Sequence, residues 1–188
     1  MEIDPNIVID RYIVVMKANS VLLNSVISEF ESRELSVLKG IRVTLPSSAF
    51  PSLEIESMNS DSSWYATRVQ RHTMNFRCVL TVLAPSVEDR EIYQNRLTSA
   101  VTSIFKNPQN LQFPIPCVEG FYRYDAFVYD SFISSVQYSS TRDGLYGVSE
   151  WEWTVNIHER IPDILFHCVP SQVPNIMKPI VKEIGNAQ

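Results

Sequence analysis

The stretch RHTMNFRCVLTVL, residues 71–83, decides the fold of this 188-residue chain. Its residues alternate in character, so that one side of the stretch is largely apolar and the other is largely polar. The predominantly apolar side consists of His72, Met74, Phe76, Cys78, Leu80 and Val82. A period of two over this length predicts a β-strand with one side against a core and the other in water. The chain therefore contains a sheet with one wet face.

A second strand with the same period is predicted over residues 145–158, and we expect it to pair with residues 132–138. Between them, Asp143-Gly144 supplies the dipeptide typical of a tight hairpin turn. The two sides of the returning strand differ in the same way as those of residues 71–83. The side toward the core contains Trp151 and Trp153, and the wet side contains Glu150 and Glu152.

Helices are predicted before and after the strand at residues 71–83. Asp4 and Pro5 are typical of a helix start, and apolar residues then recur at helical spacing as far as residue 30, with a break near Asn19. A further amphipathic helix is predicted over residues 87–105, beginning after a capping serine, Ser86. These elements predict an α+β fold with an antiparallel or mixed sheet packed against helices.

Two shorter pieces separate the early helices from residues 71–83. Residues 41–45 alternate like a short strand that stops at Pro46. Residues 53–58 indicate another short strand, and the polar run 59–63 predicts a turn. Trp64 and Tyr65 follow directly, so this region is predicted to be an exposed hairpin or flap.

The last part of the chain differs from the rest in its proline content. Prolines at 162, 170, 174 and 179 interrupt apolar pieces, so no long helix or strand is expected there. We therefore expect one α/β domain over residues 1–160 and an extended C-terminal arm over residues 161–188. Apolar residues on such an arm need to cover the parent domain or a neighbouring subunit.

Composition excludes several classes of protein. With 45% hydrophobic and 20% charged residues the chain is typical of a globular protein, and a net charge of -5 disfavours a surface that follows nucleic-acid phosphates. Three widely separated cysteines, Cys78, Cys117 and Cys168, favour reduced thiols in the cytosol over a disulfide framework. No apolar run is long enough to span a bilayer, so no membrane association is expected.

The sequence contains no strong catalytic, cofactor or metal motif. Zinc ligands could come from His158, His167 and Cys168, with Cys78 or Cys117 brought in by folding, but without metal-binding spacing we favour packing. The chain has five glycines, so glycine-rich phosphate-binding loops and oxyanion loops are not expected. Glu150 and Glu152 are spaced as an acid and base pair requires, yet a solvated sheet face is favoured, with an acidic pore lining as a third interpretation.

A mixture of basic and aromatic residues lies near the predicted flap: Trp64, Tyr65, Arg68, Arg71 and His72. Such mixtures occur in nucleic-acid-binding proteins, and basic and aromatic residues also bind acidic protein surfaces. Because the whole chain is acidic, we favour a protein contact.

The order of elements over Pro5–Arg160 resembles that of the tail terminator, or tail completion, proteins of tailed bacteriophages. The resemblance is carried by the strand 71–83 closed by Ala84-Pro85, by the helix 87–105, and by the Asp-Gly hairpin that returns through Trp151-Glu152-Trp153. It implies a small α/β subunit that assembles as a hexameric ring on the head-proximal end of the tail tube. The ring stops tube polymerisation and joins the tail to the head connector.

The resemblance also implies partners and a location. The partners are other copies of the chain, the tail tube protein, the connector or neck proteins and, in contractile tails, the sheath. The genome passes through the lumen without specific binding, and the protein belongs to the virion tail or neck after assembly in the host cytoplasm. Candidate subunit or partner contacts are Trp64, Tyr65, Leu165, Phe166, Ile176 and Met177.

Two other functions remain open from the sequence. One is another head-tail joining or baseplate structural protein, which belongs to the same structural class. The other is a small α/β enzyme or ligand-binding domain that uses Glu150, Glu152 or His158.

Overall fold

The structure is a computed structural model that describes residues 3–30, 33–42, 45–46, 49–67, 69–107, 115–118, 121–123, 126–141, 144–160 and 169–170. The helices are α1 (Pro5–Ala18), α2 (Ser20–Ile27) and α3 (Val87–Phe105). The longer strands are β2 (Ser52–Ala66), β3 (Val69–Leu83), β6 (Ala126–Ile133) and β8 (Tyr146–Arg160). The shorter strands are β1 (Ser36–Lys39), β4 (Ile115–Val118), β5 (Phe121–Arg123), β7 (Gln137–Ser140) and β9 (Val169–Pro170).

The main sheet has six strands in the order β1-β2-β3-β8-β6, with β7 also paired to β8. Strand β1 is parallel to β2, and the other pairs are antiparallel. The helices contact one face of this sheet. A smaller sheet joins β4, β5 and β9. The predicted α+β class with a mixed sheet against helices is confirmed.

The region predicted to be an exposed hairpin or flap is one half of a long hairpin. Strand β2 continues for 15 residues and pairs with β3 along its length, with bulges near Ser57 and Trp64. Beyond Ile55 its side chains are almost all exposed, because this half of the hairpin lies outside the helix layer. The polar residues that indicated a turn therefore occupy a solvated strand, where the Asn75 amide donates to Asn59 Oδ1 at 2.7 Å.

The short strand predicted over residues 41–45 lies earlier in the chain. Strand β1 ends at Lys39, and Gly40 follows with φ of +75°, a left-handed conformation that stops a strand. The amide of Gly40 still donates to the carbonyl of Ile55 at 2.8 Å. Residues 41, 42 and 45 form no strand, because the glycine closes β1 instead of preceding a strand, and residues 43 and 44 lie outside the described residues.

The two long strands predicted first are confirmed. Strand β3 pairs with β8 in a register that places Cys78 opposite Trp151 and Phe76 opposite Trp153. The partner predicted over residues 132–138 is divided in two, since β6 and β7 pair with different parts of β8. Gly144 adopts φ of +74°, as a glycine that follows a turn requires.

The predicted helix starts are also confirmed. Asp4 accepts a hydrogen bond from the amide of Asn6 at 2.9 Å, and Ser86 Oγ accepts one from the amide of Asp89 at 3.1 Å. The Ser86 hydroxyl also donates to Asp89 Oδ2 at 2.7 Å, which fixes both side chains at the start of α3. These caps satisfy amide groups that have no partner within their own helix.

The core centres on Trp153, which is fully buried between the sheet and the helices. Its ring contacts those of Tyr12, Phe76 and Phe105 at centroid distances of 4.0, 4.7 and 4.6 Å. Its indole N-H donates to Ser131 Oγ at 2.9 Å, and this hydroxyl donates to the carbonyl of Phe105 at 2.6 Å. Burial raises the pKa of Tyr12 to about 12, so its hydroxyl remains protonated at neutral pH.

A small polar cluster is buried between α3 and β8. The Gln94 amide donates to the carbonyl of Val148 at 2.8 Å and to Ser149 Oγ at 3.1 Å, and Thr98 donates to the same hydroxyl at 2.9 Å. Gly147 permits this approach, because a Cβ there would lie 2.7 Å from Gln94 Oε1.

Replacing Gly147 by alanine should therefore destabilise the protein by about 1–3 kcal/mol, because the new methyl group displaces Gln94 from its hydrogen bonds. Urea unfolding followed by circular dichroism measures this loss. Adding Gln94→Ala to the Gly147→Ala variant removes the clash. Gln94→Ala should therefore lower the free energy of unfolding less in the Gly147→Ala variant than in the unmodified protein. An equal loss of stability from Gln94→Ala with and without Gly147→Ala would contradict a clash between the new methyl group and Gln94.

Candidate contact surface

The face of the main sheet that points away from the helices, called the outer face here, is lined by a hydrogen-bonded polar ladder. Thr73 donates to Asn156 Oδ1 at 2.8 Å, joining β3 to β8. Thr154 donates to Asn75 Oδ1 at 2.7 Å, and Asn75 in turn reaches Asn59 on β2. The wet face predicted from the alternation is thus confirmed. Cross-strand bonds of this kind hold its side chains in fixed positions.

The outer face is acidic. Arg77 Nε donates to Glu150 Oε1 at 2.6 Å, and this hydrogen bond raises the pKa of Arg77, with the charges of Glu150 and Glu56 adding to the effect. Both side chains are about two-fifths exposed, so the pair contributes little to stability. The cross-strand register assigns the following charged residues to this face: Glu54, Glu56, Asp61, Asp130, Glu150 and Glu152, with Arg71, Arg77 and Arg160.

Aromatic side chains gather at one end of the outer face, and we call Tyr65, Phe127, Tyr129 and His158 the aromatic patch. The imidazole of His158 stacks on Tyr129 at a centroid distance of 3.8 Å. Tyr65 lies 4.7 Å from the imidazole, and Phe127 meets it edge-on at 5.8 Å. Phe127 and Tyr65 remain 46% and 63% exposed, which leaves apolar area open to a partner.

The patch sets the protonation of His158. Burial among the rings lowers the pKa of His158, and the positive charge of Arg71 on the neighbouring strand lowers it further. The imidazole is therefore neutral at pH 7. A neutral ring stacks on tyrosine without the cost of desolvating a charge.

The three residues of the enzyme hypothesis are not brought together. Glu150 pairs with Arg77, and Glu152 lies two residues further along β8. His158 is six residues beyond Glu152 on the same strand, a separation of about 20 Å at the usual rise per residue. His158 therefore does not share a site with Glu150 and Glu152, which lie two residues apart on the same face.

The candidate contact residues divide into two groups. Trp64 and Tyr65 lie at the end of β2 with exposed fractions of 69% and 63%, and Tyr65 belongs to the aromatic patch. Leu165, Phe166, Ile176 and Met177 lie outside the described residues.

The predicted basic and aromatic mixture is only partly assembled. Arg71 accompanies Tyr65 on the outer face, whereas His72 points into the core and is 1% exposed. There its Nε2 lies 2.6 Å from Glu159 Oε2, in a buried pair that the sequence analysis did not anticipate. Arg68 lies outside the described residues.

The candidate zinc ligands are not assembled in the described part of the chain. His167 and Cys168 lie outside it, and His158 belongs to the aromatic patch. Cys78 is buried in β3, and this burial raises the pKa of its thiol. Within the described residues no group of three or more histidine, cysteine or acidic side chains is placed to hold a metal ion.

A second surface lies at the opposite edge of the sheet, beside β1, and we call it the β1 groove. It is a cleft of about 130 Å³ between α1, α2 and the segment 34–37. Its apolar lining consists of Ile13, Met16, Leu23, Leu35 and Val37, and its polar lining consists of Lys17, Ser20, Asn24 and Glu34. On α2, Val21 and Leu22 are 83% and 47% exposed.

The sequence analysis missed the contributions of Phe127 and Tyr129 to the aromatic patch. The available signal was the aromatic, strand-prone stretch from residue 121 to 138. A bulge between Val128 and Asp130 shifts the register of β6, so simple alternation does not give the side that each aromatic residue occupies. The contact with His158 depends on that register.

Similarities to known proteins are found among solved structures. No protein-family model matches the sequence, and no curated protein matches it. A chain from the virion of a native gene transfer agent particle is similar in structure, with a TM-score of 0.45 and 6% sequence identity. The similarity covers 77% of this chain and 89% of that chain. Similarity at this level does not identify a family.

No helix in the described residues combines the length and the apolar character that crossing a bilayer demands.

Proposed function

We propose that this chain is a structural virion protein of the tail terminator kind. In this proposal its copies form a ring, a hexamer by the resemblance, at the head-proximal end of a phage tail tube. The ring ends tube polymerisation and joins the tail to the head connector. The chain acts through its surfaces and carries out no reaction.

The observation that carries the proposal is the presence of two different surfaces with exposed apolar area on one subunit. Phe127 and Tyr129 of the aromatic patch lie on β6, and the β1 groove lies at the other end of the strand order. A ring requires such a pair, because each subunit contacts its two neighbours through different surfaces. An enzyme hypothesis leaves both surfaces without a role.

The outer face suits the lumen of this ring. Acidic residues outnumber basic ones on it, and the neutral side chains of the polar ladder lie between β3 and β8. Negative charge repels the phosphates of DNA, so a genome passes without adhering. We propose that this face lines the channel.

Further contacts in the assembled particle are proposed for the exposed end of the hairpin and for the arm. Trp64 and Tyr65 protrude from the sheet and suit contact with the tail tube or the connector, since aromatic residues are enriched at such interfaces. Leu165, Phe166, Ile176 and Met177 supply apolar area from the arm for the same purpose.

The proposal predicts that the purified protein is annular. Negative-stain images should show rings, and analytical ultracentrifugation should give a mass of about six subunits. Added to a polymerising tail tube, the protein should stop elongation and label one end of each tube. Single subunits at high concentration that do not bind tubes would refute the role. Labelling of the head-distal end would indicate a baseplate protein instead.

A further inference from the structure

We infer that the aromatic patch, together with Arg71 and Arg160, binds single-stranded nucleic acid. Unpaired bases stack on the exposed rings of the patch, and the two guanidinium groups contact phosphates. The inference goes beyond the proposed ring, because it adds a contact with nucleic acid at one end of the outer face.

Charge is distributed unevenly along the outer face. The cross-strand register joins its side chains into rows across the sheet, and neighbouring rows lie about 7 Å apart. One row contains Arg71, His158 and Phe127, and the next row toward the end of β8 contains Arg160. Among the described residues, these two rows contain no acidic side chain.

The acidic side chains lie in the rows further along the face. They begin with Asp61 and Asp130, which share the row of Asn156. The sequence favoured a protein contact because the chain as a whole is acidic. The end of the face that carries the patch is nevertheless locally basic.

The two arginines at this end are available to a ligand. Neither the Arg71 nor the Arg160 guanidinium forms an ion pair or a hydrogen bond with another of the described residues. Arg77, in the acidic part of the same face, is paired with Glu150 instead. A guanidinium group matches the geometry of a phosphate, so the two arginines favour an anionic ligand of this kind.

The rings of the patch favour a ligand with planar groups. Tyr65, Phe127 and Tyr129 are 63%, 46% and 38% exposed. They surround the imidazole of His158 at centroid distances of 4.7, 5.8 and 3.8 Å. Rings held by such contacts lose little conformational freedom when a ligand covers them. Bases stack on exposed aromatic side chains irrespective of their sequence.

A single strand of nucleic acid supplies both of the groups that this site accepts. Its phosphates suit the arginines, and its unpaired bases suit the rings. In a duplex the bases are stacked on one another and do not reach the rings, while the acidic rows of the face repel its phosphates. An acidic peptide supplies negative charge alone and leaves the rings uncovered.

Fluorescence anisotropy of a labelled oligothymidylate of about ten nucleotides tests the inference. The unmodified protein should bind this strand at least about tenfold more tightly than a duplex of the same length, because only the strand stacks on the rings. The logarithm of the binding constant should fall against the logarithm of the salt concentration with a slope of about −1.4, or about 0.7 for each phosphate contact. Polyglutamate should not displace the oligonucleotide.

Substitutions separate the two kinds of contact. Arg71→Gln and Arg160→Gln should each reduce the magnitude of the salt slope by about 0.7. Tyr65→Ala and Phe127→Ala should each weaken binding at least about fivefold and leave the slope unchanged, because stacking involves no phosphate.

Arg77→Gln and Tyr138→Ala are the matched controls. Arg77 is an arginine of the same face that lies outside the patch, and Tyr138 on β7 is a tyrosine that is 54% exposed outside the patch. Both variants should bind the oligonucleotide like the unmodified protein. Circular dichroism and thermal unfolding establish that all variants fold.

The outcomes separate this inference from the proposed function. Equal binding of strand and duplex, or unchanged binding in all four patch variants, would refute the inference. Displacement by polyglutamate would also refute it and would indicate an acidic protein partner. Rings that do not bind the oligonucleotide would refute the inference and leave the ring proposal intact. Single subunits that bind the strand but never form rings would support the inference and refute the ring.

Discussion

Replacing Trp153 by alanine should lower the free energy of unfolding by about 3–5 kcal/mol, the usual cost of truncating a buried tryptophan. The side chain is fully buried, and its ring contacts three other aromatic rings within 5 Å. The truncation leaves a cavity and also removes the indole N-H that satisfies Ser131. Urea unfolding monitored by circular dichroism measures the change.

The chain contains its own control for this prediction. Trp64 is 69% exposed at the end of β2, so Trp64→Ala should change stability by less than about 0.5 kcal/mol. Trp153→Phe keeps an aromatic ring and loses the hydrogen bond, so its cost should fall between the two. Equal costs for Trp64→Ala and Trp153→Ala would contradict the core described here.

Alternation predicted the parts of the fold in which one side of an element is buried. Strands β3 and β8 lie against the helices, and their period of two correctly placed Phe76, Trp151 and Trp153 in the core. The outer half of β2 has no buried side and so no period. Its polar residues were therefore interpreted as a turn, although their backbone pairs with β3 across two bulges.

The contact surface was less predictable because its residues are distant in sequence. Tyr65, Phe127 and His158 lie on three different strands, and only the strand order brings them together. The exposed aromatic character of Trp64 and Tyr65 was recognisable from the chain alone. The groove beside β1 was not, because Ile13 and Leu35 contribute to it through the packing of α1 on the sheet edge.

Breaking the pair between His72 and Glu159 should produce the second large effect, a loss of about 3–5 kcal/mol for Glu159→Ala. The two side chains are each 1% exposed, and Nε2 lies 2.6 Å from Oε2. Removing the carboxylate leaves the imidazole in a dry environment without the group that it contacts there. The loss is measured by urea unfolding at pH 7.

A surface pair of the same length supplies the control. Arg77 and Glu150 are also separated by 2.6 Å, but their side chains are 43% and 40% exposed. Glu150→Ala should therefore cost less than about 1 kcal/mol, because water replaces the lost partner.

Replacing both buried partners should cost less than replacing one. In the double variant His72→Leu with Glu159→Leu, no polar group of the pair remains to be desolvated, and apolar side chains fill similar volume. A double-mutant cycle then yields a coupling energy of about 2 kcal/mol or more between the two positions. Additive losses would mean that the two side chains act independently. The pair joins the ends of β3 and β8 beneath the aromatic patch, so its loss should also loosen the patch while Trp153 and the central core remain packed.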